Sequence, residues 1–161
     1  MNSMPLYPLR FEPICQYRLW GCRRLASLLS APLPGDGLIG EAWLLSDRDD
    51  HPSRVANGSL KGQTLGQLLK QWPEQLLGKM AGRFRRFSLL LKFLDARDTL
   101  SVQVHPSDRQ PKYLPAGETG KTEAWVVLEA GHESLICHGL SPPILTASCT
   151  APNSLQFGGK Q

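Results

Sequence analysis

The stretch Leu89-Leu-Leu-Lys-Phe-Leu-Asp-Ala-Arg-Asp-Thr-Leu-Ser-Val-Gln-Val-His-Pro106 decides the fold. It holds two strand patterns in succession. Leu89 to Asp95 is an apolar run broken only by Lys92. Thr99 to Val104 alternates: Leu100, Val102 and Val104 share one face, and Ser101, Gln103 and His105 share the other. Side chains two apart lie on the same side of a strand, so this second run presents a hydroxyl, an amide and an imidazole together. A lysine inside an apolar strand must reach solvent or an anion. For Lys92 the candidates are a phosphate, or a carboxylate of the chain such as Asp95 or Asp98.

Downstream, Pro106 to Gly120 reads as a long loop and Lys121 to Leu128 as a further strand. On that strand Lys121, Glu123 and Trp125 share a face. Ser134 to Cys137 is one more short strand. Upstream, Ile39 to Ser46 is strand-like, and Ala31 to Gly37 is a Pro/Gly loop. Thr64 to Leu77 has apolar residues at helical spacing, with Thr64 as N-cap and Pro73 poised to break the helix in two. Residues 5–29 read as an extended lead with a tight feature at Trp20-Gly21 and a helical turn over Leu25 to Leu29.

If the polar faces of the two strands point into a barrel, Gln103, His105 and Glu123 bring amide oxygen, imidazole nitrogen and carboxylate together. These are ligand types for zinc, with room for substrate. The plainer reading of polar alternation is a solvent-facing strand. Lys121, two residues before Glu123, is either a group for a sugar hydroxyl and proton transfer or a salt-bridging edge lysine.

Bulk properties bound the function classes. The chain has 161 residues, 41% hydrophobic and 20% charged, as suits one globular domain. The net charge of +4 suits an anionic small molecule better than nucleic acid. Arg83, Arg85, Arg86 and Lys92 form a basic cluster that reads as a solvated face. Phe84, Phe87 and Phe93 are expected to feed a core and not a base-stacking platform. None of the four cysteines forms a C-x-x-C pair. No signal sequence or membrane span is expected, so a cytoplasmic protein with reduced thiols is.

The quoted stretch resembles the signature of type I mannose-6-phosphate isomerases, and Gly120-Lys-Thr-Glu-Ala-Trp125 resembles their second signature. Pro8-Leu-Arg-Phe-Glu-Pro13, Leu19-Trp-Gly21 and Ile39-Gly-Glu-Ala-Trp43 are similar as well. The resemblance implies a mainly β fold with a few helices, a cupin (double-stranded β-helix, or jelly-roll) barrel. It implies that Gln103, His105 and Glu123 are zinc ligands, that Lys121 is catalytic, and that Lys92 and Ser101 lie near the substrate phosphate. The reaction implied interconverts mannose 6-phosphate and fructose 6-phosphate through an enediol-like intermediate. The partner is then a sugar phosphate, with neither nucleic acid nor membrane.

The resemblance covers about Pro8 to Gly139, and residues 140–161 read as a divergent, irregular tail. The family's further histidine ligand, its active-site arginine and its later barrel strands are not found in that tail. The barrel is therefore expected to be incomplete at its C-terminal end. His132 and His138 read as loop histidines. Two rival readings are a non-catalytic sugar-phosphate-binding cupin and another metallo-cupin enzyme. Iron oxygenases favour two histidines with a carboxylate, which the single ligand-spaced histidine does not match.

Overall fold

The computed structural model describes residues 7–101, 103, 105–114, 116 and 118–137, and the backbone of 154–156. They fall in two compact units that divide between Leu100 and Ser101.

The first unit is built on a three-stranded antiparallel sheet, ordered β1 (Ile14–Cys22), β2 (Ile39–Leu45), β3 (Leu91–Leu94). β2 is flanked on both sides, and Ile39 to Trp43 are all buried. The expected extended lead is in fact a nine-residue strand, irregular in register after Gln16 and again after Tyr17. Its sequence lacks a clean alternation, and pairing with β2 supplies what periodicity does not. The tight feature at Gly21 has a steric cause: a Cβ there would lie 2.4 Å from the backbone nitrogen of Gly40. β3 is shorter than the apolar run suggests, and Leu89 and Leu90 are exposed.

Helix α1 (Leu25–Leu29) follows β1. Asp95, buried at the end of β3, accepts the backbone N–H of Arg24 at 2.7 Å and its Nε at 2.8 Å. That pair ties the start of α1 to the sheet. Between β2 and β3 lie α2 (Leu65–Gln71) and α3 (Pro73–Leu77). Thr64 and Gln67 form a reciprocal capping box at the start of α2, as the sequence predicts for Thr64. Pro73 divides the two helices: it stands at the first position of α3, where its missing N–H costs nothing.

Two apolar clusters hold this unit. Val55, Leu60, Leu68 and Trp72 form one, with Leu9, Phe11 and Leu76 against it. Leu25, Leu33, Ile39 and Ala42 form the other, under the sheet, with Phe93 packed on it. Each buried leucine contributes about 1.5–3 kcal/mol by leaving water. Of the three phenylalanines expected in the core, Phe93 is packed, Phe87 is half-buried and Phe84 is exposed.

In the second unit β4 (Leu135–Cys137) pairs antiparallel with β5 (Ser154–Gln156). β5 lies within the tail expected to be irregular. The strands expected over Thr99 to Val104 and Lys121 to Leu128 do not form among the described residues. A strand needs a neighbour to take its ladder hydrogen bonds, and none of the described residues pairs with them. Trp125, Val126, Val127 and Leu128 stand exposed as a result. The loop before them is closed by Asp108, whose carboxylate accepts the N–H of Gly120 at 2.6 Å. Val102, Val104, His138 and Cys149 lie outside the described residues. Among the described residues no helix is long and apolar enough to cross a membrane.

Candidate functional site

In the second unit, the segment from Gly120, which forms no strand, carries Lys121 and Glu123 two residues apart. Their side chains meet: Lys121 Nζ lies 2.9 Å from Glu123 Oε1. The same ammonium lies 3.4 Å from Nε2 of His105. An ammonium can only donate, so in this contact Nε2 is the accepting nitrogen. An imidazole lone pair and a carboxylate oxygen thus converge on one positive centre, sixteen residues of chain apart from His105 to Lys121. Gln103 donates its Nε2 to Ser101 Oγ at 3.3 Å. All five side chains are solvent-accessible.

These donors suit a zinc ion in type, being neutral imidazole nitrogen, carboxylate oxygen and amide oxygen. Two of them already embrace a cation. With its N–H given to Ser101, the Gln103 amide keeps its carbonyl oxygen as the atom that could face a metal. No group of three or more His, Cys, Asp or Glu side chains comes together among the described residues. A third ligand drawn from the described residues would be of another type, as Gln103 is. His132, exposed in a turn, is not part of such a group.

In the first unit, Lys92 reaches neither Asp95 nor Asp98. It lies 3.3 Å from Oε2 of Glu41, on the neighbouring strand. Asp95 is taken by Arg24, and Asp98 accepts the N–H of Thr99. Glu41 also accepts from Trp43 Nε1 at 2.6 Å and from Arg18 Nε at 3.0 Å. Burial by itself pushes the Glu41 carboxyl up. The Trp43 hydrogen bond, the Lys92 charge and the Arg18 contact outweigh it and hold the group below the usual glutamate range. Sequence reasoning gave Glu41 and Arg18 no role. The available signal was a carboxylate inside the apolar run Ile39 to Leu45, which burial makes costly unless it is paired. Of the basic cluster, Arg83, Arg85 and Arg86 are exposed, and Arg86 pairs with Asp49 at 2.6 Å.

The antiparallel strands and few helices of the chain define a mainly β protein, in whose second unit a Lys-x-Glu pair stands beside a histidine. A sequence profile for the catalytic domain of type I phosphomannose isomerase matches residues 9–124. The mannose-6-phosphate isomerase ManA of Bacillus subtilis is 38% identical over 136 residues, which cover 84% of this chain and 42% of ManA. The mannose-6-phosphate isomerase of Streptococcus mutans is 37% identical over 132 residues, 82% of this chain and 40% of its own. A crystal structure of the mannose 6-phosphate isomerase from Bacillus subtilis superposes with a TM-score of 0.71 at 32% identity. It covers 80% of this chain and 40% of that one.

The chain belongs to the type I phosphomannose isomerase family. Its fold is mainly β with a few helices, an incomplete portion of the family's cupin fold. The chain spans about two fifths of the length of the curated relatives it matches.

Proposed function

We propose that this chain carries the N-terminal portion of a mannose-6-phosphate isomerase site, acting on mannose 6-phosphate and fructose 6-phosphate. The observation that carries the reading is the Lys121 ammonium set between His105 Nε2 and Glu123 Oε1, inside the segment that resembles the family's second signature. We assign residues 1–139 to the isomerase portion and 140–161 to a divergent tail. A cytoplasmic location suits a phosphorylated substrate and the free thiols of Cys15 and Cys22.

Aldose-ketose isomerisation removes a proton from C2 and delivers one to C1, while a hydrogen moves from the O2 side to the O1 side. The composition of the sugar does not change. Gln103, His105 and Glu123 are the residues that would hold zinc, and bound zinc would polarise the sugar oxygens as a Lewis acid. Lys121 holds a proton on Nζ within reach of both ligands, and can donate it to an oxygen that gains charge in the enediol-like state. Lys92 and Ser101 are assigned to the phosphate. Binding energy from that remote group positions the reacting carbons.

The test is turnover by the purified chain with added zinc, following fructose 6-phosphate formation, with His105→Ala as control. Turnover that His105→Ala abolishes supports the isomerase reading. Binding of mannose 6-phosphate with no turnover by folded chain supports the second reading, a non-catalytic sugar-phosphate-binding cupin.

A further inference from the structure

Glu41 is only 6% exposed, yet it carries a full carboxylate on the central strand. Its Oε1 takes Arg18 Nε at 3.0 Å. Its Oε2 takes Trp43 Nε1 at 2.6 Å and Lys92 Nζ at 3.3 Å. The four residues come from all three strands of the sheet, and the register sets Lys92 opposite Trp43. One cation would neutralise a buried carboxylate. Here there are two, so the cluster keeps one positive charge. A lysine ammonium has three donors, and Glu41 takes one of them. The Lys92 side chain is 22% exposed, so an anion from solvent can reach an ammonium that still has donors to give.

A buried ion pair is weak evidence for stability, because desolvation cancels much of the attraction. A carboxylate that fixes two cations and leaves them in excess is better explained by an anion that arrives later. We propose that Glu41 is a positioning residue for the phosphate group of the sugar phosphate. It holds the Lys92 ammonium at one place, with Arg18 on its other oxygen and the Trp43 indole locking its rotamer. This rests on the isomerase reading through the phosphate role of Lys92.

Positioning and plain neutralisation predict opposite signs. Glu41→Gln removes a negative charge beside Lys92. If Glu41 only neutralises, the freed cations bind phosphate more tightly. If it positions Lys92, binding weakens even though the cluster becomes more positive. Calorimetric titration of the full 161-residue chain with mannose 6-phosphate distinguishes them, with inorganic phosphate as the second probe. Glu41→Gln is expected to weaken mannose 6-phosphate binding by about threefold to tenfold, and Lys92→Ala by about tenfold or more. Glu41→Asp keeps the charge but withdraws it from Lys92, and is expected to weaken binding as well.

Unchanged or tighter binding by Glu41→Gln, with Lys92→Ala still weak, overturns the positioning role and leaves the isomerase reading intact. Unchanged binding by Lys92→Ala, or a wild-type chain that does not bind the sugar phosphate, overturns the phosphate role and the proposal with it. A direct readout needs no altered residue at Glu41: the Lys92 ammonium resonance, assigned by its loss in Lys92→Ala, is expected to shift when mannose 6-phosphate is added. An unmoved resonance at saturation overturns the proposal even where the Glu41 variants fail to fold.

Discussion

The Lys121 ammonium and the Glu123 carboxylate lie 2.9 Å apart, on side chains two residues apart in the chain. A metal held by Glu123 and His105 must displace that ammonium or share the carboxylate with it. Lys121→Met keeps the stem and removes the charge, so zinc binding is expected to tighten by roughly tenfold, the equivalent of about 1.4 kcal/mol. Catalysis, where the chain shows it, should be lost. His105→Ala should weaken zinc by at least about tenfold. Zinc titration monitored by calorimetry checks both signs, and weaker zinc binding in Lys121→Met refutes the competition.

Gly21 and Gly40 face each other so closely that any Cβ on Gly21 meets backbone. A Cβ on Gly40 would lie 2.6 Å from the Cβ of Arg18. Gly21→Ala should therefore destabilise the first unit by about 1–3 kcal/mol through overpacking between β1 and β2. Urea unfolding of the variant beside the wild type measures it. An unchanged midpoint would mean that β1 shifts freely.

Glu41 makes stability depend on acid. Its folded carboxyl is held below the ordinary glutamate range, so as pH falls the unfolded state takes up the proton first. The contribution is complete above the ordinary value of about 4.3 and is lost as the pH falls from there through the folded value. Glu41→Gln should lower stability near pH 7 by about 1–3 kcal/mol, since three donors lose a charged acceptor. It should also flatten the loss of stability expected of the wild type as the pH falls below about 4.3. Equal slopes in the two proteins would show that Glu41 does not carry the acid response.

Thr64→Ala removes one half of the capping box at the start of α2 and leaves Gln67 N–H without its side-chain acceptor. The expected cost is about 1 kcal/mol. Thr64→Ser should recover most of it. Chemical denaturation of both variants checks the pair, and a loss that serine does not recover would point to the threonine methyl instead of the cap.

What the sequence determined by itself was local or nearly so. Thr64 before an apolar-periodic run gives the start of α2, and Pro73 gives its end, because a cap and a missing N–H act within one turn. The two-residue spacing of Lys121 and Glu123 puts their side chains together with no partner strand. The two signature segments carry the resemblance to the family to which the chain belongs.

The tertiary structure decided what depends on pairing across long stretches of chain. Lys92 meets Glu41 across 51 residues because β2 and β3 align Trp43 with Lys92, and no local pattern encodes that register. The same holds for Asp95, which serves Arg24 across 71 residues and so is not available to Lys92. Conversely, the alternation over Thr99 to Val104 and the run over Lys121 to Leu128 read as strands but lack ladder partners among the described residues. Side-chain period fixes which residues share a face. Only a neighbouring strand, by taking the backbone hydrogen bonds, makes that face part of a sheet.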